Sequence, residues 1–221
     1  MKNIHLIVTI AIFPENETQD KFGYSYQRRI EDYRKSLESV MKFSGFFNTL
    51  NIIECVSKKR IEFLHNYDHF NIHYSNQPNF FENKGLNEIC HIKDFLDNSN
   101  YINGDDVIIK LTGRYIIENP NIFEYIKNQD IVAKLDGDIY PGDQGCHTFY
   151  FAITKKLFYD YYNTYCLDFN DRDYYRSYCV EWQLKEFMLK QNIQPLNYDI
   201  KLGVITCLYS RKNDAWTIQS A

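Results

Sequence analysis

The stretch at residues 80–115, FFENKGLNEICHIKDFLDNSNYINGDDVIIKLTGRY, decides how this 221-residue chain is read. Glu82-Asn83-Lys84-Gly85 is a polar loop, residues 86–97 carry a helical pattern, and Gly104-Asp105-Asp106 closes a polar turn. Residues 107–111, VIIKL, then read as a strand that empties into Thr112-Gly113-Arg114-Tyr115. A helix-to-strand unit of this kind builds open α/β sheets, and in such sheets ligands bind beyond the carboxyl ends of the strands. Polar residues and glycines cluster where the loop enters the helix and where the strand leaves the sheet. Function is therefore sought at those two ends.

Outward from that unit, strands and helices alternate. Residues 4–13 are an apolar, β-branched run ended by Pro14, which suits a buried central parallel strand. Residues 27–42 place Ile30, Tyr33, Leu37, Val40 and Met41 at helical spacing. Further strands are expected at 49–56, 70–74, 131–135 and 147–153, with one or two more in 194–208. Residues 58–66 read as a short basic helix or turn, and helices are expected at 121–128, 155–165 and 174–190. Without a repeat, low-complexity tract or Pro/Gly/Ser linker, this alternation predicts one domain over residues 1–221. Its expected class is an α/β sandwich of Rossmann type, with a mainly parallel central sheet flanked by helices.

With 25 basic and 29 acidic residues the net charge is −4, which gives no electrostatic reason to expect a nucleic-acid or anionic-membrane partner. Cys55, Cys90, Cys146, Cys166, Cys179 and Cys207 form no C-x-x-C pair and match no histidine spacing. Reduced thiols in a cytoplasm fit them better than a zinc site or a disulfide framework. The apolar N-terminal run is short and is followed by Pro14-Glu15-Asn16-Glu17, so it reads as a strand rather than a signal peptide. No other stretch approaches a membrane span. There is no G-x-G-x-x-G after the first strand and no G-x-x-x-x-G-K-[ST], which removes the main signatures of dinucleotide oxidoreductases and P-loop enzymes. Phe13-Pro14-Glu15 also stands where sugar nucleotidyltransferases carry a glycine-rich loop.

Asn83-Lys84-Gly85-Leu86-Asn87-Glu88 followed by Lys110-Leu111-Thr112-Gly113-Arg114-Tyr115, within this order of elements, resembles glycosyltransferases of the GT-A fold. The likeness spans residues 4–190 and is to a group found in bacterial and large-virus surface-glycan pathways. It implies a nucleotide-sugar donor, a glycan or lipid-linked acceptor, and a role in polysaccharide biosynthesis. It also implies a cytoplasmic enzyme, free or peripheral at a membrane, or acting in the cytoplasm of a virus-infected host. Donor binding falls to Asn83, Lys84 and Gly85 and to Thr112, Gly113 and Arg114. In typical members the strand matching residues 107–111 ends in an Asp-x-Asp motif that holds a divalent metal against the donor diphosphate. Here that corner reads Thr112-Gly113-Arg114. Asp136-Gly137-Asp138, one strand later, has the metal-binding spacing and oxygen ligands suited to Mg²⁺ or Mn²⁺, although it equally suits a surface turn. Alternatively Arg114 neutralises the leaving diphosphate by itself, since a guanidinium offers phosphate a fixed fork of N–H groups.

Asn83 and Gly85 equally suit the capped start of a helix, and the resemblance favours the donor loop. Glu181 falls among Trp182, Leu184, Met188 and Leu189 rather than on the polar face of its helix. It is expected to be partly buried, which makes a carboxylate a better general base, and the resemblance also puts an acidic residue near this helix start. Glu181 is therefore read as the base that deprotonates the acceptor, against a plain i,i+4 pair with Lys185. A single base predicts inversion at the anomeric carbon. The resemblance puts His147 at the start of the acceptor-facing strand, as an acceptor contact against a plain structural histidine, and Glu88, read as opposite Ile89 and Leu96 on the helical wheel, is the weaker candidate for a ligand contact. Arg28 and Arg29 open the first helix and read as a solvated basic turn, against a reach towards phosphate. The aromatic residues after Phe149 read as core in a chain with 19 Tyr and 16 Phe. The altered corner also motivates a competing class, a non-catalytic glycan or nucleotide-sugar binding module on a degenerate transferase fold.

Overall fold

A computed structural model describes residues 2–12, 25–57, 60–79, 84–135, 145–166, 180–197, 199–206 and 219–220. β1 (Ile4–Ile10), buried beyond its first residue, lies between β2 (Thr49–Glu54) and β4 (Val107–Thr112), parallel to both. A strand this rich in Ile, Leu and Val is stable only with both faces covered, which is the central position in a parallel sheet. With β3 (Asn71–Tyr74), β6 (Ile131–Val132) and β7 (Tyr150–Thr154), the order is β3-β2-β1-β4-β7-β6. β7 runs antiparallel to β4. Its beginning therefore lies at the same edge as the carboxyl ends of β1 and β4.

Alternation along β1 sends Leu6, Val8 and Ile10 to one face and Ile7 to the other. The first face is covered by α1 (Tyr26–Met41) through Ile30, Tyr33, Leu37 and Val40. The second is covered by α2 (Lys84–Asp97) and by two later helices. After the short α3 (Asn121–Ile126), these are α4 (Lys155–Tyr165) and α5 (Val180–Lys190). Ser25 caps α1 by accepting from the Arg28 amide at 3.3 Å, and Thr154 caps α4 by accepting from the Leu157 amide at 3.4 Å. Among the described residues no helix is long and apolar enough to cross a membrane, and Cys55, Cys90, Cys146 and Cys166 are buried free thiols.

The expected α/β sandwich is what the chain forms, with one element pair unforeseen. Gly113 and Arg114 make a tight turn, and Tyr115 opens a strand instead of ending a corner. That strand, β5 (Tyr115–Ile117), pairs antiparallel with β8 (Val204–Thr206), which pairs with β9 (Gln219–Ser220) in a second sheet. α1 ties β5 down: the Ser36 hydroxyl donates to the Tyr115 carbonyl at 2.7 Å, and the Ser39 hydroxyl accepts from the Ile117 amide at 3.1 Å. Other bounds moved by a few residues. The strand expected over 147–153 begins at Tyr150, the one over 131–135 keeps only Ile131–Val132, and the last helix is described from Val180.

Only a glycine fits the turn at position 113. Its amide donates to the Thr9 carbonyl at 2.8 Å. A Cβ there would stand 2.7 Å from Ile10 Cγ2, 2.8 Å from Tyr33 Cδ1 and 2.9 Å from the Thr9 carbonyl oxygen. Because backbone cannot give way as a side-chain tip can, Gly113→Ala is expected to cost about 1–3 kcal/mol. Thermal denaturation reads this as a fall of roughly 2–4 °C for each kcal/mol.

Candidate functional site

Lys110 is the residue out of keeping with β4, a strand otherwise built of Val, Ile, Leu and a terminal Thr. Only 1% of it is exposed. An ammonium in such a place needs an opposite charge and an acceptor for each proton. It has them: Lys110 Nζ donates to Glu88 Oε2 at 2.6 Å, to Thr112 Oγ1 at 2.7 Å and to the carbonyl of Thr148. Glu88, near the start of α2, also accepts from Thr9 Oγ1 and from Thr112 Oγ1, each at 3.2 Å. The carboxyl ends of β1 and β4, the approach to β7 and the first turns of α2 thus meet on one ion pair.

Glu88 was the weaker candidate by sequence, and the fold sets it at the centre. At 100° per residue Glu88 stands on the same side of the helix as the buried Ile92 and Phe95, which turns it towards the sheet, where Lys110 meets it. The signal was legible in VIIKL, where a lysine interrupts a strand expected to be buried on both faces.

Thr148 carries the network on. Its hydroxyl donates to Glu181 Oε1 at 2.9 Å, from the segment before β7 to the first turn of α5. The Cys146 amide donates to the Glu181 carbonyl at 2.9 Å, and a Cβ on Gly145 would stand 2.7 Å from Glu181 Cβ. Glu181 is half-buried, as its place on the helix predicts, while its helix neighbour Leu189 is exposed. His147, also half-buried, stacks on Tyr150 with ring centroids 5.5 Å apart, and its amide donates to the Lys134 carbonyl at 2.8 Å. Next to it Phe149 is 40% exposed and lies over Tyr115 at 5.0 Å.

On the α1 side of the same edge the charges are packed differently. Arg29, expected in a solvated turn, is buried: its Nη1 donates to the Ala11 carbonyl and to the Tyr33 hydroxyl, both at 3.4 Å. The reason is that α1 docks its first turn on the end of β1, so Arg29 falls on the buried face with Tyr33. Arg114, half-exposed, follows Gly113 in the turn. Burial pushes the Asp32 carboxyl up to about 6, against the pull of Arg114, Arg28, Lys35 and Arg29.

Glu54, at the end of β2, is fully buried and accepts from the amides of Ile12, Val56 and Ser57 at 3.2, 2.8 and 2.9 Å. Burial still pushes its carboxyl up from 4.5 to about 7. The folded chain keeps this proton where the unfolded chain loses it, so the favourable contribution is complete below pH 4.5 and lost as the pH rises to about 7. The loss is on the order of 3 kcal/mol. Melting curves at pH 5 and pH 8 are expected to show it as a lower midpoint at pH 8, and Glu54→Gln is expected to shrink the difference.

Of the residues singled out by sequence, Thr112 and Glu181 belong to the Lys110 and Thr148 network, and His147 adjoins it. Lys84 is exposed and Gly85 half-buried in the first turn of the helix that carries Glu88, while Arg114 lies on the α1 side. Asn83, Asp136 and Asp138 lie outside the described residues. Among the described residues no group of three or more His, Cys, Asp or Glu could hold a metal ion. The corner after β4 offers a paired ammonium, hydroxyls and a guanidinium, a set that does not fit a divalent cation.

No protein-family model and no curated protein matches the sequence. Solved structures do. A provisionally named nucleotide-diphospho-sugar transferase from Desulfovibrio desulfuricans G20 superposes with a TM-score of 0.51, covering 89% of this chain and 80% of its own at 10% identity. A nucleoside-diphosphate-sugar pyrophosphorylase from Vibrio cholerae RC9 gives 0.56, with 91% and 95% covered at 10% identity. The chain shares the fold of these two structures. The inositol-1-phosphate CTP transferase from T. maritima shares this fold at a TM-score of 0.52, with 89% of this chain and 86% of its own covered at 8% identity. In this fold the Lys110 network occupies the carboxyl edge of the parallel strands, where open α/β sheets take their ligands.

Proposed function

We propose that the protein is a glycosyltransferase that moves a sugar from a nucleotide-diphosphate donor to a hydroxyl of a glycan or lipid-linked acceptor. The observation that carries this reading is the Thr148 junction, where the residue that anchors Lys110 through its carbonyl holds a half-buried carboxylate, Glu181, through its hydroxyl. In this reading that carboxylate is the base, beside the sheet edge where open α/β sheets take ligands.

In this reading the diphosphate lies between the start of α2, with Asn83, Lys84 and Gly85, and the corner of Thr112, Gly113 and Arg114. A helix N-terminus offers amides and the positive end of its dipole to phosphate. Negative charge grows on the diphosphate oxygen as its bond to the anomeric carbon breaks, and Arg114 stabilises that charge from a fixed position. The acceptor oxygen attacks from the opposite face while Glu181 takes its proton, which inverts the anomeric centre. His147 hydrogen-bonds an acceptor hydroxyl. A divalent metal at Asp136 and Asp138 would add positive charge at the diphosphate.

Nucleotidyl transfer is the second reading, favoured by the names of the similar Vibrio and T. maritima structures. Against it, Ile12-Phe13-Pro14-Glu15 offers no glycine for a phosphate cradle after β1. Product analysis separates the readings. Release of nucleoside diphosphate from a nucleotide sugar, faster with an acceptor present, is the expected result. Pyrophosphate from a nucleoside triphosphate and a sugar phosphate would establish nucleotidyl transfer instead. Binding of a nucleotide sugar with neither product would leave a binding module.

A further inference from the structure

We propose that Thr148 is a positioning residue that aims the Glu181 carboxylate and sets its distance from the corner after β4; the inference rests on Glu181 being the base. A glutamate side chain turns about three bonds, and a proton is taken only from a hydroxyl within hydrogen-bond reach of a correctly aimed oxygen. Misplacing a catalytic group by about 1 Å can cost as much as a hundredfold in rate. Both ends of Glu181 are tied to residues 145–148. Its backbone carbonyl accepts from the Cys146 amide and its Cβ abuts Gly145, while its Oε1 accepts from the buried Thr148 hydroxyl at 2.9 Å.

The anchor itself is fixed to β4 from two directions. Lys110 donates to the Thr148 carbonyl, and the Thr112 amide donates to the carbonyl of Phe149 at 2.7 Å. Thr112 belongs to the corner proposed to hold the diphosphate. The separation between the leaving diphosphate and the base is thus set by backbone pairing of two strands, with the Thr148 hydroxyl as the last link. Thr148 touches neither donor nor acceptor in this scheme.

Thr148→Val keeps the shape and the carbonyl and removes only the hydroxyl, so it isolates that link. Its kcat is expected to fall roughly 10-fold to 100-fold with the donor KM within about twofold of wild type, because only the chemical step depends on the carboxylate's aim. Thr148→Ser, which restores the hydroxyl, is expected to recover most of the rate. Loss with valine, recovery with serine and an inactive Glu181→Gln together support the inference. An inactive Glu181→Gln beside a fully active Thr148→Val overturns it and leaves the function standing. Wild-type turnover by Glu181→Gln removes Glu181 from the chemistry and overturns this inference, whereas a wild-type protein that releases no nucleoside diphosphate from any nucleotide sugar overturns the function. Should valine prevent folding, Thr148→Ala against Thr148→Ser gives the same comparison.

Discussion

Glu181→Gln is expected to lower turnover by roughly 10²-fold to 10⁴-fold, the range a positioned general base contributes, while donor affinity stays at the wild-type value. Glutamine keeps the volume of the side chain and an oxygen that can accept from Thr148 Oγ1, so the network around Lys110 is undisturbed. What it lacks is the capacity to take a proton. The separation of the two readouts is therefore informative: kcat from the release of nucleoside diphosphate, affinity from calorimetry with the same nucleotide sugar. A variant that turns over at the wild-type rate would remove Glu181 from the chemistry.

Lys110→Met is expected to destabilise the protein by about 3–5 kcal/mol, because it leaves an uncompensated carboxylate beside the core. The Glu88 side chain is 23% exposed, so water reaches part of it and the lower end of the range applies. For a chain of this length that is a fall in melting temperature on the order of 10 °C. Methionine replaces the stem of the lysine, so little of the effect comes from lost volume. The control is the double replacement Lys110→Met with Glu88→Leu. Exchanging both partners for apolar groups removes the stranded charge, and much of the stability is expected to return. A single variant that melts within a degree of wild type would show that the ion pair does not hold this edge together.

The parts of the fold that sequence made legible are those with a long period to read. The run from Ile4 signals a strand covered on both faces, and α1 shows its buried stripe through Ile30, Tyr33, Leu37 and Val40. The second sheet was not legible because Tyr115–Ile117 and Gln219–Ser220 are too short for alternation to appear, and the pairing of β5 with β8 spans most of the later chain. At the site, the half-burial of Glu181 followed from helical spacing alone. The partners of Glu88 and Arg29 were not legible because each is set by packing between distant elements: Lys110 of β4 for one, the Ala11 carbonyl just after β1 for the other. The role of Thr148 lay beyond sequence because it depends on the antiparallel register that brings the start of β7 to the end of β4.

The central claim is that a nucleotide-sugar diphosphate is held at this carboxyl edge by Arg114. Thermal melts of wild type and Arg114→Ala with UDP-, GDP- and dTDP-sugars, each with Mn²⁺ and with EDTA, test it directly, since a ligand that binds only the folded chain raises its melting temperature. The account predicts that one class of nucleotide sugar stabilises wild type and that Arg114→Ala abolishes the shift; a shift confined to the Mn²⁺ samples would add a metal to the same site. Equal stabilisation of both proteins, or no shift with any nucleotide sugar, would contradict it.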